Sequence, residues 1–293
     1  MIKKLLSFFL LTAVLTGFGL AFWRGLLPWL QPSTGQLSVS TPQQNATVFL
    51  DGKELGKTPF YSKVLKVGDH NLTIESDGVS WKTKTTLTEG TFNTLDLNLS
   101  RIDRFTSGEN LFFRIGQKSL TVLSKPEGAK VFLNNQEKGS TPLKLTPDNG
   151  VVTLTLKKEG YLSREITPNL VENYRLTANI FLAVDPFGTI KKLDSNPKAT
   201  LFSIYNQSID LSRSYSDWVE GLKFTQKQFT GAQTRFDLLL DPTGNTYVLN
   251  ETEWKNKLAT KAVANIGYLA TKANDSLSDK ANATWQTLKI QFN

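Results

Sequence analysis

The chain has 293 residues and a formal net charge of +8, with 34 Lys and Arg against 26 Asp and Glu, one histidine and no cysteine. The lack of cysteine excludes disulfides, thiolate nucleophiles, Cys-ligated zinc and iron–sulfur clusters. A multi-histidine metal site is also excluded, and a Ser-His-Asp triad would have to use His70. At about 100–200 residues per domain, the length allows two or three modules, each with its own hydrophobic core.

The first predicted element is a membrane anchor in residues 1–30. Lys3 and Lys4 precede an uncharged run from Leu5 to Trp23, and these 19 residues approach the roughly 20 that a helix needs to cross a bilayer. The basic residues before the run predict a cytoplasmic N-terminus, and Trp29 suits the membrane interface. We therefore expect an uncleaved signal anchor that holds the chain in the lipid bilayer and leaves most of it outside the cell membrane. A cleaved signal peptide is the alternative.

A polar stalk at residues 31–36 leads into two segments that repeat at a separation of 83 positions. Both segments combine alternating apolar residues, which predict strands with one buried face, with a later glycine and a Thr-Pro pair. The shared positions are Ala46, Val48, Leu50, Gly56, Thr58 and Pro59 in the first copy, and Ala129, Val131, Leu133, Gly139, Thr141 and Pro142 in the second.

The turns between these strands are also predicted from the sequence. Asp51-Gly52 and Asn134-Asn135 are residues that tolerate positive φ, so each pair predicts a two-residue hairpin. We expect two small antiparallel β-sandwiches, at residues 37–100 and 120–183, joined by a connector at residues 101–119.

The second copy resembles the PEGA domain, which is named after the tetrapeptide found here as Pro126-Glu127-Gly128-Ala129. It continues with Thr141-Pro142-Leu143 and closes with Glu159-Gly160-Tyr161, as that family does. The first copy departs from the pattern because Pro42-Gln43-Gln44-Asn45-Ala46 lacks the Glu-Gly pair and Val79 replaces the closing aromatic residue. The resemblance implies an exported β-sandwich that occurs in tandem in surface and envelope proteins and has no catalytic residues.

Two short motifs could carry chemistry. His70 could act as a general base or a pH switch, but it lies in a predicted hairpin beside Gly68, where the PEGA resemblance also places a histidine, so we interpret it as structural. Ser195 and Lys198 have the Ser-x-x-Lys spacing of serine acyl-transferases, but Pro197 between them predicts a linker instead of the helix that this chemistry needs. We therefore identify no catalytic, cofactor-binding or metal-binding residue.

The remaining sequence is predicted to form a linker at residues 184–200 and an α+β domain at residues 201–293. Apolar runs on both sides of residues 241–245, a stretch of turn-forming residues, predict a β-hairpin. Asn250 followed by Glu253 at the third helical position is typical of a capped helix N-terminus.

The rest of this domain is predicted from its apolar spacing. Apolar residues recur every three or four positions from Trp254 to Leu269, which indicates one face of a helix. Leu288, Ile290 and Phe292 alternate with polar residues, which predicts a last strand. This order resembles the C-terminal β module of the POTRA-bearing division-septum proteins of bacteria, and that resemblance would imply a sheet edge that docks a partner by strand addition. An unrelated α+β domain is the alternative.

We expect a membrane-anchored cell-envelope protein that acts as a non-catalytic binding or structural module. Its scattered basic residues fit a solvated surface, and they could also favour a cell-wall polymer, lipid headgroups or an envelope protein as partner. We expect no nucleic-acid partner, because the anchor places these residues outside. The alternatives are a docking scaffold and a hydrolase that uses two carboxylates. The candidate carboxylates are Asp210, Asp217, Glu220, Asp237 and Asp241.

Overall fold

A computed structural model describes residues 33–42, 45–207, 215–228, 234–273 and 276–292. These residues are mainly β, with an α+β region at the C-terminal end, which confirms the predicted fold class at this level. The predicted anchor, residues 1–30, lies outside the described residues. Among the helices that are described, none combines the length and the apolar character needed to cross a bilayer.

The first copy is a β-sandwich. Its strands β2, β3, β5 and β6 form one sheet, which packs against β1, β4 and β7. The seven strands are β1 (Thr34–Ser40), β2 (Thr47–Leu50), β3 (Lys53–Lys57), β4 (Phe60–Lys66), β5 (Gly68–Ser76), β6 (Val79–Leu87) and β7 (Phe92–Asn98). The expectation of a purely antiparallel sandwich is wrong, since β1 and β7 pair in parallel. After β1 the chain crosses to the opposite sheet. When it returns to the first sheet as β7, it runs in the same direction as β1.

The second copy repeats this arrangement after an additional strand, β8 (Ser107–Ile115). It comprises β9 (Ser119–Lys125), β10 (Lys130–Leu133), β11 (Gln136–Ser140), β12 (Leu143–Leu145), β13 (Gly150–Val151), β14 (Leu154–Lys157), β15 (Arg164–Ile166), β16 (Asn169–Leu170) and β17 (Tyr174–Phe181). Here β9 and β17 are the parallel pair. The predicted two-residue turns are present, because Asp51, Gly52, Asn134 and Asn135 all have positive φ.

Strand β8 joins the two copies into one sheet. It pairs with β7 on one side and with β17 on the other, which gives a seven-stranded sheet in the order β12-β9-β17-β8-β7-β1-β4. Residues 101–119, which we predicted as a connector, thus contain a central strand. They also contain a short 3-10 helix at Asp103–Phe105.

The two sandwiches use opposite faces of this shared sheet. Leu95 of the first core is the register partner of Asn110, whereas Ala178 of the second core is the register partner of Leu111. Asn110 and Leu111 are consecutive residues of β8, and consecutive side chains point to opposite faces of a strand. The first four-stranded sheet therefore covers one face of the shared sheet, and the second covers the other.

Each four-stranded sheet also contacts the strands of the other copy. Trp81 on β6 packs edge-to-face on Phe181 of β17, with ring centroids 5.8 Å apart. Arg164 on β15, the equivalent strand, forms ion pairs with Asp96 of β7 at 3.4 Å and with Glu109 of β8. Burial raises the pKa of Glu109, although the Arg164 guanidinium opposes this shift. The two contacts hold the sandwiches together from opposite sides of the sheet.

The C-terminal domain has a five-stranded mixed sheet, in the order β18-β19-β22-β20-β21, with helices on both faces. Its elements are β18 (Thr189–Asn196), β19 (Ala199–Tyr205), α1 (Tyr215–Gln228), β20 (Leu238–Leu240), β21 (Thr246–Val248), α2 (Glu251–Thr260), β22 (Ala264–Leu269) and α3 (Asp279–Phe292). Helix α1 covers one face, and α2 and α3 cover the other. Residues 184–200, predicted as a linker, include β18.

Two predicted elements of this domain are confirmed. The β20–β21 hairpin forms around residues 241–245. The side chain of Asn250 caps α2 by accepting a hydrogen bond from the Glu253 backbone N–H at 3.2 Å.

Two other predictions for this domain are wrong. The predicted last strand is part of α3, because Trp285, Leu288 and Phe292 bury one helix face, whereas Ile290 is 73% exposed. The helix predicted to reach Leu269 ends at Thr260, where Lys261 adopts a left-handed conformation with φ 54°. The later apolar residues of that pattern lie in β22, since short apolar runs fit a buried strand as well as a helix.

The C-terminal domain is docked on the sandwiches through the 3-10 helix. Phe105 is buried in the same cluster as Trp218 and Leu222 of the domain. Around it, Arg104 pairs with Asp217 at 3.4 Å, and Gln228 at the end of α1 hydrogen-bonds to Asn98 at the end of β7. All three modules thus share contacts at one end of the seven-stranded sheet.

The close approach of α1 to Phe105 gives a test of this docking. A methyl group at Gly221 would overlap the Phe105 ring, which is buried and cannot swing away. In an unconstrained helix, Gly→Ala stabilises by about 1 kcal/mol. We expect Gly221→Ala instead to lower the free energy of unfolding by about 1–3 kcal/mol, because overpacking outweighs helix propensity.

Urea unfolding of the variant measures this difference. Asn256→Ala, on an exposed position of α2, is the control that gains helix propensity without a clash. An unchanged or raised stability of Gly221→Ala would show that the contact with Phe105 is not tight.

Candidate binding site

A cleft of about 300 Å³ opens between the two sandwiches and the segment that joins them, and we call it the junction cleft. Its volume lies at the lower end of the range of about 300–1,000 Å³ for small-molecule sites. The first sandwich contributes Trp81, the second contributes Lys125, Pro126, Tyr161, Phe181, Leu182 and Val184, and the segment between them contributes Asp103, Arg104 and Thr106.

The walls of the junction cleft are aromatic and its rim is cationic. Trp81, Tyr161 and Phe181 are each partly exposed. Lys125 is exposed, and within the described part of the chain its amino group has no ion-pair or hydrogen-bond partner. Arg104 is held by its 3.4 Å contact with Asp217. This combination can bind a ligand that has both a flat apolar surface and a negative charge.

A second, larger cleft lies between the tip of the β5–β6 hairpin and helix α1, with a volume of about 530 Å³. Its charges are balanced, with Arg101, Lys223 and Lys227 against Asp77, Glu220 and Glu251. Lys223 pairs with Glu220 at 3.3 Å. It contains one aromatic ring, that of Phe224, so it lacks the combination found in the junction cleft.

Residues 126–129 connect β9 to β10 beside the junction cleft. Their backbone conformation and hydrogen bonds explain why this tetrapeptide suits the crossing between the two sheets. Gly128 has φ 75° and donates its N–H to the Thr141 carbonyl at 3.1 Å. Ala129 is buried, and its N–H donates to the Thr141 hydroxyl at 3.1 Å. A residue that tolerates positive φ, followed by a small buried residue, is therefore required at this crossing between sheets.

The first copy keeps the same geometry with different residues. Asn45 occupies the position of the glycine with φ 69° and donates its N–H to the Thr58 carbonyl at 3.2 Å. The Ala46 N–H donates to the Thr58 hydroxyl at 3.1 Å. Asparagine is one of the few residues that visit this conformation without a large penalty, so the missing Glu-Gly pair does not alter the fold.

Comparison with known families agrees with this geometry. The family model described as the PEGA domain matches residues 34–103 and 117–181. The chain contains two PEGA domains in tandem. Among curated proteins, none matches it. PEGA domains indicate a non-catalytic binding or structural module, and the junction cleft is formed between the two PEGA domains and the segment that joins them.

The His70 side chain stabilises a hairpin of the first PEGA domain through two hydrogen bonds. Its Nδ1 lies 2.7 Å from the Asp51 carboxylate, and its Nε2 lies 2.8 Å from the Lys66 carbonyl oxygen. Both ring nitrogens are thus occupied by protein groups, which supports the structural interpretation over a general base. In the second PEGA domain, Asn134 takes the place of the aspartate and accepts a hydrogen bond from the Thr153 N–H at 2.9 Å.

The Ser-x-x-Lys spacing does not form a helical turn. Ser195 lies near the end of β18, and Lys198 lies in the turn that leads into β19. Ser195 and Lys198 therefore do not stand one helical turn apart, and the residues predicted as a linker here form the β18–β19 hairpin.

Asp237 and Asp241 of the C-terminal domain lie too far apart to act as a pair of catalytic carboxylates. Asp237 precedes β20 and Asp241 follows it, so they lie about 13 Å apart along an extended chain. Glycosidases need two carboxyl groups within about 5–9.5 Å. Asp217 and Glu220 lie on α1 and pair with Arg104 and Lys223, and Asp210 lies outside the described residues.

Asp237 and Asp241 have structural roles. Asp237 pairs with Lys257 at 2.7 Å. Burial alone would raise the pKa of Asp241, but hydrogen bonds from Thr243, Tyr247 and Asn245 outweigh it and hold this pKa below its ordinary value. In the part of the chain that is described, no group of three His, Asp or Glu residues could hold a metal ion.

The edges of the C-terminal sheet do not fit strand addition. The edge strand β18 exposes Lys191 and Lys192 and has an irregular register beside them. The other edge, β21, has three residues. Short, charged and irregular edges are typical of sheets that avoid pairing with other chains.

The Asp51 carboxylate predicts a pH dependence of stability. Hydrogen bonds from the Asn71 N–H and from His70 lower the pKa of Asp51 below its ordinary value of 3.8. A lowered pKa in the folded state contributes stability that is present above the unfolded pKa and is lost as the pH falls through the folded pKa. We expect Asp51→Asn to retain the hairpin, as Asn134 does, and to lose stability less steeply below about pH 4.

Denaturant unfolding at several pH values between neutrality and acid tests this expectation. The reciprocal control is Asn134→Asp in the second PEGA domain, which should make the acid loss steeper. If Asp51→Asn and the unchanged protein had parallel pH profiles, the hydrogen bonds to Asp51 would not contribute to stability.

Proposed function

We propose that this PEGA protein is a membrane-anchored envelope protein that binds an anionic cell-wall glycan in the junction cleft without transforming it. The observation that carries this proposal is the combination of three aromatic side chains and two cations in one cleft between the modules. The predicted anchor from Leu5 to Trp23 supplies the membrane attachment.

The aromatic walls support a sugar as the bound unit. Aromatic side chains offer large flat apolar surfaces, and those of Trp and Tyr also carry a polar group that can hydrogen-bond. Within the described residues, the indole N–H of Trp81 has no acceptor, so it can donate to a ligand hydroxyl. A pyranose ring has apolar C–H faces and polar edges, which fits both properties.

The cations support a negatively charged glycan. Lys125 extends from the end of β9 and makes no ion pair among the described residues, and Arg104 lines the same cleft. Lysine and arginine bind carboxylate and phosphate groups by charge-assisted hydrogen bonds. Asp103 is the one acidic residue that lines the cleft, which leaves the lining with a net positive charge.

Binding in the junction cleft can be tested with two variants. We expect Trp81→Ala and Lys125→Gln each to weaken retention on isolated cell-wall material about tenfold, because loss of a central contact in a binding site costs more than 1 kcal/mol. Co-sedimentation with purified wall fragments over a range of concentrations measures the effect.

The matched controls are an exposed aromatic residue and an exposed lysine elsewhere. Tyr61→Ala and Lys130→Gln remove such residues from the surface of the sandwiches, and both should bind as the unchanged protein does. Since Lys125 is exposed, Lys125→Gln does not depend on the packing of Trp81 against Phe181. Unchanged binding by Lys125→Gln would contradict the anionic glycan.

Membrane attachment and topology can be tested with one added cysteine, since the chain has none. Lys191 is exposed on β18, so we expect Lys191→Cys to react with a membrane-impermeant maleimide in cells whose outer layers admit the reagent while the inner membrane is intact. We expect the labelled protein to sediment with the membrane fraction and to be released when residues 1–32 are deleted. Labelling only after the inner membrane is broken would contradict the proposed topology.

A further inference from the structure

One end of the seven-stranded sheet, which we call the proximal end, carries most of the exposed apolar side chains. It is the end at which β1 begins and the chain enters from residue 33. The strand register places Thr34, Lys66, Ile115, Tyr174 and Ser119 side by side across this end. At about 4.8 Å per strand, seven strands make it about 30 Å wide.

The exposed apolar residues of the proximal end form a group. They are between 37% and 77% exposed, and they stand at the ends of strands or in the short β13–β16 pair that adjoins them. They are Val64, Ile115, Val151, Val171 and Tyr174. The C-terminal domain, which docks at the opposite end, cannot cover them. A row of exposed apolar side chains along one end of a sheet is typical of an interaction surface.

Two arginines at the proximal end lie directly opposite each other. Arg114 on β8 and Arg175 on β17 are register partners, and both are exposed. In the residues that are described, neither has a carboxylate partner. Like charges in directly opposed positions destabilise a sheet. The arrangement is stabilised when an anion such as a phosphate group lies between them.

The nearby acidic residues are engaged in other contacts. Glu172 pairs with Lys118 at 3.5 Å and accepts a hydrogen bond from Asn149. Glu89 accepts a hydrogen bond from Ser33 at 3.0 Å, which fixes the point where the chain enters the sheet. Neither of them neutralises the arginine pair.

The position of the predicted anchor indicates that a membrane surface covers the proximal end. Residues 24–32 are the nine residues between the apolar run from Leu5 to Trp23 and Ser33, and at most they span about 30 Å. If Leu5 to Trp23 cross a bilayer, the proximal end is therefore the part of the molecule closest to the membrane surface. Its valines, isoleucine and tyrosine match the interfacial region, and its arginines match lipid phosphates.

We propose that the proximal end rests on the bilayer that holds the anchor, with its apolar side chains in the headgroup region and Arg114 and Arg175 on lipid phosphates. This inference rests on the proposed membrane attachment and adds an orientation to it. The seven-stranded sheet then stands on the membrane, and the junction cleft and the C-terminal domain face away from it.

Single cysteines in the full chain, labelled with an environment-sensitive nitrobenzoxadiazole dye, test the orientation in vesicles of phosphatidylcholine and phosphatidylglycerol. We expect headgroup nitroxide lipids to quench labels at Val64→Cys, Ile115→Cys and Val151→Cys about twofold or more above the control labels. The controls, Val263→Cys and Ile290→Cys, are apolar positions of similar exposure in the C-terminal domain.

A label at Thr16→Cys, deep inside the predicted anchor, reports insertion separately in vesicles whose lipids carry the nitroxide on the acyl chains. Quenching at Thr16 with no excess at 64, 115 and 151 would overturn the orientation and leave the membrane attachment standing. No quenching at Thr16 would overturn both. The labels at positions 64, 115 and 151 could instead be shielded from solvent in detergent, before any vesicle is present. That result would show that a second copy of the chain covers the proximal end, and it would overturn the inference.

The arginine pair has its own test in the same vesicles. Arg114→Gln combined with Arg175→Gln should reduce quenching at Ile115→Cys in phosphatidylglycerol vesicles by about half and should change it little in pure phosphatidylcholine. Lys82→Gln combined with Lys84→Gln removes two exposed charges from β6 and serves as the control. Equal quenching in both lipids, before and after the arginine substitutions, would show that attraction of the arginine pair to anionic lipid plays no part.

Discussion

The pairing of β8 with both β7 and β17 is the constraint on which the rest of the structure depends. A strand at the edge of a sandwich has one buried face, but β8 has one sandwich against each face, so its alternate residues serve two cores. The two PEGA domains cannot rotate about a flexible connector, because the connector is a strand of their common sheet. Their relative position is fixed by backbone hydrogen bonds along nine residues.

This fixed position creates the junction cleft. Trp81 belongs to one PEGA domain and Phe181 to the other, and their contact exists because the sheet sets the distance between them. The 3-10 helix that follows β7 then places Arg104 at the rim and buries Phe105 in the C-terminal domain. A binding site made in this way needs no long loops, since every wall comes from a strand or from a short connection between strands.

The fold was predictable where local chemistry decides the structure, and it was missed where long-range packing decides it. Asp51-Gly52 and the cap at Asn250 depend on a few neighbouring residues, and both were predicted correctly. Strand β8 was not recognised, because its residues face apolar cores on both sides and show no alternation. Residues 288–292 were predicted as a strand because their apolar residues alternate, although Trp285 and Phe292 bury a helix face. The junction cleft could not be predicted, since its residues lie far apart in sequence.

The shared sheet has a consequence for mechanical load. Strand β1 lies between β4 and β7, so a pull on Ser33 along the strand axis shears two hydrogen-bonded ladders at once instead of unzipping one bond at a time. The load passes through β7 and β8 to β17 and reaches the C-terminal domain at the opposite end of the sheet. A pull applied at residue 33 is therefore transmitted to the C-terminal domain while both sandwiches stay folded.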